Sequence, residues 1–326
     1  MAFLDIIIPQ YNENDETINI LLNSILTQEQ IDFKDINVII VNDHSNTIIS
    51  KELLDSYSIL NIKYIISDKN YGPGYTRQIG FDNSNSTYVT YVDADDCLFE
   101  KLTLKIVIDY LKKNNVDVLY TKFIEEMIEN GESKPYLHTN DVHKYLHGQF
   151  IKREFLNKYD IKFDKKLRFF EDSYYCKQVE KLSKPKLLDV ISYLWRFNYN
   201  SIIRSKKKYH ILVENFADFI REANILSSKL KKYNVLSDEL VIKSIYGLYM
   251  VLESQLFDYK ELEKLKIKYE NDVYKYYLKY KYMFDKLDDE TKLKYFKEEE
   301  NALLNGEKIK YLITFNQFIK KMENQN

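Results

Sequence analysis

Cysteine is nearly absent from this chain of 326 residues, which contains only Cys97 and Cys176. Two cysteines cannot form a disulfide framework, and neither stands in a Cys-x-x-Cys or Cys/His pattern that would hold zinc. No apolar run reaches the roughly 20 residues that span a bilayer, and no signal peptide precedes the first apolar run. We therefore expect a protein of the reducing cytoplasm.

An excess of one charge is also lacking, because 48 Lys and Arg face 50 Asp and Glu for a net charge of -2. A dedicated nucleic-acid binder normally carries a strong positive excess, so we expect no nucleic-acid partner. With 45% apolar and 30% charged residues, the composition is that of a globular protein. The length allows one large α/β domain with a smaller appendage, or two modest domains.

Glycine is scarce, and three of the seven glycines fall in the segment Asn70–Gly80. This concentration indicates a backbone that turns tightly or approaches a ligand, before a helix whose N-terminus favours an anion. Arg77, in the first turn of that helix, could form charge-assisted contacts to a diphosphate. The alternative is an ordinary loop before a helix, with Arg77 on a solvated face.

Short β-branched runs alternate with helical patterns over the first 120 residues, the order typical of a parallel sheet with covering helices. Apolar residues at helical spacing predict a helix from Ile18 to Leu26, with Asn14 or Asp15 as its cap. We therefore expect a doubly wound α/β fold. Strands are predicted at Leu4–Ile8, Asn37–Val41, Ile62–Ile66, Tyr88–Val92 and Asp117–Tyr120.

The pattern is less regular from about residue 121 to residue 204, where we expect an elaboration that closes over the sheet. Helices are predicted around Lys152–Lys158 and Asp172–Leu182, and a late strand at Val190–Phe197. Beyond Ser205 the glycines nearly vanish and the Lys/Glu/Leu/Tyr stretches have helical periodicity. This part is predicted to be a helical C-terminal region.

Three carboxylates follow the buried-looking strand Tyr88–Val92, at Asp93, Asp95 and Asp96. In an extended chain Asp93 and Asp95 point the same way, toward the edge where open α/β sheets bind ligands. Hard oxygen ligands of this kind favour Mg²⁺ or Mn²⁺, shared with a phosphate substrate. The alternative is that Asp96 caps the next helix and the other two are solvated turn residues.

Polar segments also follow the first two strands, as Pro9–Glu13 and Asn42–Ser45. The Tyr11 ring can cover a base, and the Asp43 carboxylate can accept a hydrogen bond from a base N–H or a ribose hydroxyl. Taken singly, Tyr11 could be core and Asp43 a turn residue that bonds its own backbone. Together, these strand ends favour a nucleoside, phosphate and metal site.

Five segments in chain order resemble the inverting nucleotide-sugar glycosyltransferases of family 2, which have the GT-A fold. The resemblance covers residues 4 to 204 and implies a GT-A core with a Rossmann-like, doubly wound mixed sheet. We expect a donor half at about 1–120 and an acceptor half at about 121–204, and the helical periodicity beyond Ser205 predicts the helical region at 205–326. The segments are Ile6–Glu13, Val41–Ser45, Asn70–Arg77, Asp93–Asp96 and His147–Asp172.

The donor roles are those that the resemblance implies, with a UDP-sugar as the favoured donor. Tyr11 and Asp43 would hold the base, Glu13 the ribose region and Arg77 the diphosphate. A late segment, Trp195–Arg204, resembles the strand and loop that close on the pyrophosphate. The other residues expected at the nucleotide sugar are Pro9, Asn12, Asn70, Gly72, Asp93, Ala94, Ser201 and Arg204.

The same resemblance implies a metal ion and a catalytic base. Asp95 would ligate Mn²⁺ or Mg²⁺, and Asp93 would contact the metal or the ribose. His210 could complete the metal shell, as a late histidine does in some relatives, although a surface position in its lysine-rich stretch is the alternative. His147 is expected to face the acceptor cleft, and Asp172 would be the base.

The chemistry requires the same groups independently of the family. Displacing a nucleoside diphosphate from an anomeric carbon requires positive charge at the departing phosphates and a base for the incoming hydroxyl. A carboxylate such as Asp172, on the opposite side of the sugar, would support an in-line attack that inverts configuration. The alternative for Glu171 and Asp172 is an acidic pair that stabilises a helix N-terminus.

The acceptor is expected to be a hydroxyl of a glycan, a lipid-linked molecule or a protein. Basic and aromatic residues in Lys275–Phe284 favour self-association of the C-terminal helices first and contact with an anionic membrane second. Two other functions stay open. One is a non-catalytic nucleotide-sugar-binding or assembly module; the other is a sugar nucleotidyltransferase, disfavoured because no early Gly-rich loop with paired Arg and Lys follows the first strand.

Overall fold

A computed structural model describes residues 2–129, 131–139, 145–198, 212–257, 262–304 and 308–325. The chain divides into two compact units, Met1–Asn198 and Tyr199–Asn326. The expected boundary at residue 204 lies outside the described residues and stays a prediction.

The first unit alternates strands and helices along most of its length. Its strands are β1 (Leu4–Gln10), β2 (Ile36–Asn42), β3 (Asn61–Ile66), β4 (Tyr88–Tyr91), β5 (Cys97–Leu98), β6 (Val118–Glu129), β7 (Glu132–His138), β8 (Gln149–Lys152) and β9 (Lys186–Trp195). Its helices are α1 (Asp15–Leu26), α2 (Lys51–Ser56), α3 (Pro73–Asp82), α4 (Thr103–Asn114), α5 (Arg153–Lys158) and α6 (Glu171–Leu182).

The strands form one mixed sheet in the order β3-β2-β1-β4-β8-β6-β9-β5, with β7 paired to β6. The pairs β3-β2, β2-β1 and β1-β4 are parallel, as the alternating sequence pattern predicts. The strand β8 then joins antiparallel to both β4 and β6, which makes the sheet mixed. The prediction of an α/β fold with a doubly wound mixed sheet is confirmed.

Close packing fixes the first helices against this sheet. The apolar stripe of α1 is buried, and Asn14 is its cap, since the Asn14 side chain accepts from the Thr17 amide. A Cβ atom added at Gly80 of α3 would lie 2.3 Å from the Cγ2 atom of Ile7 in β1. Glycine is therefore what lets α3 approach the centre of the sheet.

The hairpin of β6 and β7 differs from the prediction, which ended this strand at Tyr120 and left the following residues irregular. Here β6 continues to Glu129, and Gly131, with a φ of +82°, lies in the turn. The charged stretch at the far end of β6 is only partly buried, and β7 is mostly exposed. Because few of these side chains pack in the core, the sequence carries little of the apolar alternation that marks a strand.

The second unit is helical, which confirms the predicted helical C-terminal region. Its central helix, α8, is buried almost throughout its second half and packs against α9 and α10. The helices are α7 (Phe216–Lys232), α8 (Asp238–Leu252), α9 (Glu263–Phe284), α10 (Asp289–Leu304) and α11 (Phe315–Gln325).

Candidate active site

The polar residues after β1 lie at the carboxyl edge of the parallel strands. Pro9 is inside the strand, Asn12 has a φ of +70°, and the Tyr11 side chain is 52% exposed. The Glu13 carboxylate accepts from the Tyr11 amide at 2.6 Å. The exposed Tyr11 ring is thus available to cover a flat ligand such as a base.

Glu13 lies near two other carboxylates, Asp95 and Asp93. Burial, and to a lesser degree the negative charges of these two residues, raises the pKa of Glu13 to about 7. Negative charge is therefore concentrated at this edge of the sheet, which favours a bound cation.

Asp43, at the end of β2, is buried and shapes the glycine-containing loop. Its two carboxylate oxygens accept from the amides of Tyr71 at 2.7 Å and Gly72 at 2.8 Å. Gly72 has a φ of +84° and is the N-cap residue of α3. Asn70, just before it, accepts through its carbonyl from Arg168 at 3.3 Å. The alternative that Asp43 only bonds its own turn is therefore wrong.

The residues from Asp93 to Asp96 form a turn beyond β4, with the Asp96 amide donating to the Asp93 carbonyl at 3.0 Å. The extended backbone that was predicted for Asp93 to Asp95, and from which the two side chains were expected to point the same way, is wrong. Ala94 is buried within the core, whereas the half-buried Asp95 accepts from the Asn198 side chain at 2.8 Å. The proposed ligand roles stay predictions.

Asp96 does not cap the next helix, since α4 begins at Thr103 after the N-cap residue Leu102. It is buried instead, and its carboxylate accepts from the Tyr193 hydroxyl and from the Arg196 amide. Burial, together with the nearby charges of Asp93 and Asp95, raises the pKa of Asp96 well above its usual range. Asp96 therefore ties the turn to the end of β9.

His147 joins this carboxylate cluster, with its Nε2 atom 4.0 Å from the Oδ2 atom of Asp93. Its ring stacks on Tyr193 at a centroid distance of 4.5 Å. Asp93, Asp96 and His147 each offer one ligand atom, and these atoms lie within 4.8 Å of one another. Carboxylate and imidazole ligands together suit Mn²⁺, and the carboxylates alone also suit Mg²⁺.

His147 was not predicted to be a metal ligand, although one signal in the sequence pointed to it. The next residue, Gly148, is one of only seven glycines and has a φ of +69°. A glycine in this conformation sets the direction of the backbone between His147 and the start of β8. Of the residues chosen from the sequence for metal and donor binding, Ser201, Arg204 and His210 lie outside the described residues.

Arg77 connects the donor-side carboxylates to α6. Its Nη2 atom lies 2.5 Å from Oδ1 of Asp93, and its Nη1 atom lies 3.5 Å from Oε1 of Glu171. Burial alone would raise the pKa of Asp93, but the Arg77 charge and the neighbouring His147 hold it well below its usual range. Arg77 is itself buried, so the alternative of a solvated Arg77 is wrong.

The acidic pair at the start of α6 divides between two environments. Glu171 is buried against α3, where a Cβ added at Gly74 would lie 2.4 Å from its Cγ atom. Asp172 is half-buried, accepts from the Ser173 amide at 2.6 Å and forms no ion pair with a described residue. Glu171 therefore faces Arg77, and Asp172 is the member of the pair that is available to a ligand.

Replacing Glu171 with Gln is expected to flatten the pH dependence of stability. Burial, then the charge of Asp172, raises the pKa of Glu171 to about 8, so the folded chain holds a proton that the unfolded chain releases above about 4.5. Stability should fall as pH rises from about 4.5 to about 8. Urea unfolding followed by fluorescence of Trp195, the only tryptophan, measures this slope in both proteins. Equal slopes would contradict the assignment.

The mixed sheet, with polar residues at the ends of its parallel strands, has the GT-A fold of glycosyltransferases. The sequence profile of Glycosyl transferase family 2 matches residues 5–211, and the chain belongs to that family. Membership of this family agrees with the predicted glycosyltransferase class and counts against the sugar nucleotidyltransferase.

Named relatives agree with this family. The uncharacterized glycosyltransferase EpsJ of Bacillus subtilis (strain 168) is 25% identical over 230 residues, which are 62% of this chain and 63% of EpsJ. The teichoic acid poly(glycerol phosphate) polymerase of Staphylococcus epidermidis is 39% identical over 124 residues, which are 36% of this chain and 16% of the polymerase. The chain therefore spans less than two thirds of these curated relatives.

Solved structures show the same fold. S. aureus TarS 1–349 in complex with UDP has a TM-score of 0.59 at 18% identity, over 96% of this chain and 95% of that one. The complex of TarS 1–349 with UDP-GlcNAc has a TM-score of 0.55 at 17% identity, over 96% and 97%. In the part of the chain that the structure describes, no helix is both long and apolar enough to cross a membrane.

Proposed function

We propose that this chain transfers a sugar from a nucleotide sugar, with a UDP-sugar favoured, to a hydroxyl of a glycan, lipid-linked or protein acceptor. The transfer inverts the anomeric carbon, with Asp172 as general base and a bound Mn²⁺ or Mg²⁺ ion. The observation that carries this proposal is the bridge from Asp93 through Arg77 to Glu171, the residue before Asp172. It joins the donor-side carboxylates to α6, whose second residue is the proposed base.

The donor assignment is supported by the exposed Tyr11 ring and by the loop that Asp43 holds. A base can stack on Tyr11, while the amides at the start of α3 favour a phosphate. TarS, which shares the fold, forms complexes with UDP and UDP-GlcNAc. Arg77 is proposed to bind the diphosphate. Its guanidinium is buried beside Asp93, where its positive charge can attract the phosphate groups.

The metal assignment is supported by the chemistry of the donor set. Asp93, Asp96 and His147 place one possible ligand atom each in a single cluster, and Asp95 lies on the same turn. A divalent ion held there supplies positive charge to a departing nucleoside diphosphate. Burial, and then the neighbouring acids, raise the pKa of Glu13 and Asp96, which fits this placement because a bound cation would favour their charged forms.

The base assignment is supported by the position of Asp172. Its carboxylate can accept the proton of an incoming acceptor hydroxyl, so that the oxygen attacks the anomeric carbon opposite the nucleotide. Glu171, whose pKa of about 8 keeps it neutral near pH 7, is a weaker candidate for that role because it faces Arg77. We place the enzyme in the cytoplasm, which agrees with both cysteines being free and buried.

The function is tested by screening nucleotide sugars for thermal stabilisation with Mn²⁺, followed by mass spectrometry of acceptor mixtures incubated with the best donor. We expect a uridine diphosphate sugar to stabilise the protein most and to yield a product heavier by one sugar residue. Stabilisation by no nucleotide sugar would contradict the proposal.

Asp95→Asn is expected to remove most of the metal-dependent part of UDP binding. In the native protein, UDP should raise the melting temperature more with Mn²⁺ or Mg²⁺ than with EDTA. A ligand at 100 times its Kd adds about 2.7 kcal/mol to the free energy of unfolding. The matched control is Asp109→Asn, which removes an exposed carboxylate on α4. Thermal unfolding with and without UDP measures the difference, and a metal increment that survives in Asp95→Asn would show that Asp95 is not a ligand.

A further inference from the structure

The helix α9 presents a lysine-rich face to solvent. At about 100° per residue, the positions 264, 268, 275, 279 and 286 fall within a sector of about 60° on the helical wheel. All five lysines are exposed, the last of them just beyond the end of the helix. We call this set the basic face: Lys264, Lys268, Lys275, Lys279 and Lys286.

Large apolar side chains border the basic face along the same helix. Ile267 is 52% exposed, and Leu278 and Tyr282 are each 48% exposed. Ile267 and Leu278 fall on one flank of the lysines, and Tyr282 falls among them. The opposite side of α9 carries the buried residues, such as Val273 and Tyr280, and packs in the core of this unit. The exposed apolar side chains therefore lie outside that core.

The charge of this surface is little compensated by acids. Lys264, Lys268 and Lys286 form no ion pair with any residue in the described ranges. Asp285 pairs with Lys281 at 2.6 Å, and Asp272 is 3.9 Å from Lys275.

The end of α7 lies beside the basic face and enlarges it. Lys231 of α7 places its Nζ atom 5.6 Å from the centroid of the Tyr282 ring, and Lys286 lies 5.5 Å from the same ring. The surface is therefore a basic band with an aromatic ring near its C-terminal end and an aliphatic flank.

Three kinds of partner are possible for such a band. A second copy of the chain would bring lysines against lysines, which opposes the self-association expected from the sequence. A soluble polyanion would meet the lysines but would leave Ile267 and Leu278 in water. An anionic lipid surface meets both, because its headgroups attract the lysines while the apolar side chains enter the boundary with the acyl chains.

We propose that the basic face of α9, with Ile267, Leu278 and Tyr282, docks the protein on anionic lipid membranes. The helix lies in the plane of the interface, with its lysines at the headgroups and its apolar flank just below them. The C-terminal unit then holds the enzyme at a lipid surface. This docking is independent of the donor chemistry, so each can be tested without the other.

The first test is sedimentation with vesicles of phosphatidylcholine alone or with about 30% phosphatidylglycerol, using the full chain. We expect binding to the anionic vesicles alone, and weaker binding as salt is raised. The triple variant Lys268→Gln, Lys275→Gln, Lys286→Gln should lose about 100-fold in partition coefficient, since each lysine near such a surface contributes roughly 1 kcal/mol. Equal binding to both kinds of vesicle would overturn the proposal.

The control for net charge is the triple variant Lys51→Gln, Lys113→Gln, Lys186→Gln, which removes three exposed lysines of the first unit. It should bind the vesicles within a few-fold of the native protein. If both triple variants lose binding equally, overall charge and not the basic face is responsible, and the proposal fails.

The apolar part is tested with Ile267→Ser, Leu278→Ser against a control pair, Ile48→Ser and Ile59→Ser, which are 61% and 63% exposed in the first unit. We expect at least a 10-fold loss for the α9 pair and little change for the control. A soluble polyphosphate serves as the competing partner. Retention of vesicle binding by the α9 pair would refute the proposed entry of the apolar flank into the membrane. Binding of polyphosphate together with no binding to anionic vesicles would assign the basic face to a soluble polyanion and refute docking on lipid.

Discussion

Asp172→Asn is expected to lower single-turnover sugar transfer by about 10²–10⁴ while donor and metal affinity stay within a few-fold. Asparagine keeps nearly the same shape but cannot take the proton of the acceptor hydroxyl. Because Asp172 forms no ion pair with a described residue, its replacement should leave the fold intact. Rapid-quench measurement of transfer to the acceptor found by screening, with donor binding measured in parallel, separates catalysis from binding.

The matched controls are Glu171→Gln and Asp96→Asn, which change neighbouring acids in the same way. The Glu171→Gln variant is expected to lose less transfer activity than Asp172→Asn. The pKa of about 8 already makes Glu171 neutral near pH 7, and glutamine mimics that neutral state. Asp96→Asn removes the contact with Tyr193 and changes a candidate metal ligand, so it should lower metal affinity, which distinguishes it from loss of the base. Substantial transfer by a folded Asp172→Asn would mean that another group is the base.

Arg77→Met is expected to destabilise the first unit by about 2–3 kcal/mol, less than for a fully buried ion pair, because the Asp93 side chain is 33% exposed. Methionine fills much of the arginine volume but leaves the half-buried Asp93 carboxylate without its positive neighbour. The pKa of Asp93 should then rise from its depressed value. Urea unfolding followed by Trp195 fluorescence reports on the unit that contains the ion pair.

A double variant separates the ion pair from packing. Adding Asp93→Asn to Arg77→Met should restore part of the lost stability, because the uncompensated charge is gone. The surface variant Lys105→Met, which breaks an exposed ion pair with Asp109, should cost less than about 1 kcal/mol. A loss of similar size for Arg77→Met and Lys105→Met would exclude a structural role for the bridge.

The parallel half of the sheet was predictable because its signals are local. Each strand from β1 to β4 carries a short apolar run, and parallel order follows from the helices between them. The family motifs then marked the carboxyl edge of these strands. Asn14 as the cap of α1 was one of two adjacent choices, and only the geometry distinguishes it from Asp15.

The contacts within the site were not predictable, since they join residues far apart in the chain. Nothing near Asp43 in the sequence indicates that its carboxylate holds the amides of Tyr71 and Gly72. The approach of His147 to Asp93 likewise depends on the antiparallel pairing of β8 with β4. Periodicity reveals which face of an element is buried, but not which distant element covers it.

The turn after β4 shows how a correct motif can support an incorrect geometry. Three closely spaced acids indicated a cation site, and the structure does cluster carboxylates there. The extended chain assumed for Asp93 and Asp95 is replaced by a turn, which brings Asp96 rather than Asp95 beside Asp93 and His147. The motif identifies the candidate cation site, and the geometry of the turn determines which carboxylate oxygens lie close together in it.

The hairpin strand β7 also bears on how the protein behaves at high concentration. Within the described residues it pairs only with β6, and it exposes Tyr136 and Leu137 beside its charged residues. An open strand of this kind is a template on which other chains can stack into aggregates. Pro135 removes one amide donor from β7, and Lys134 adds a charge beside it, so the strand resists growth into fibrils.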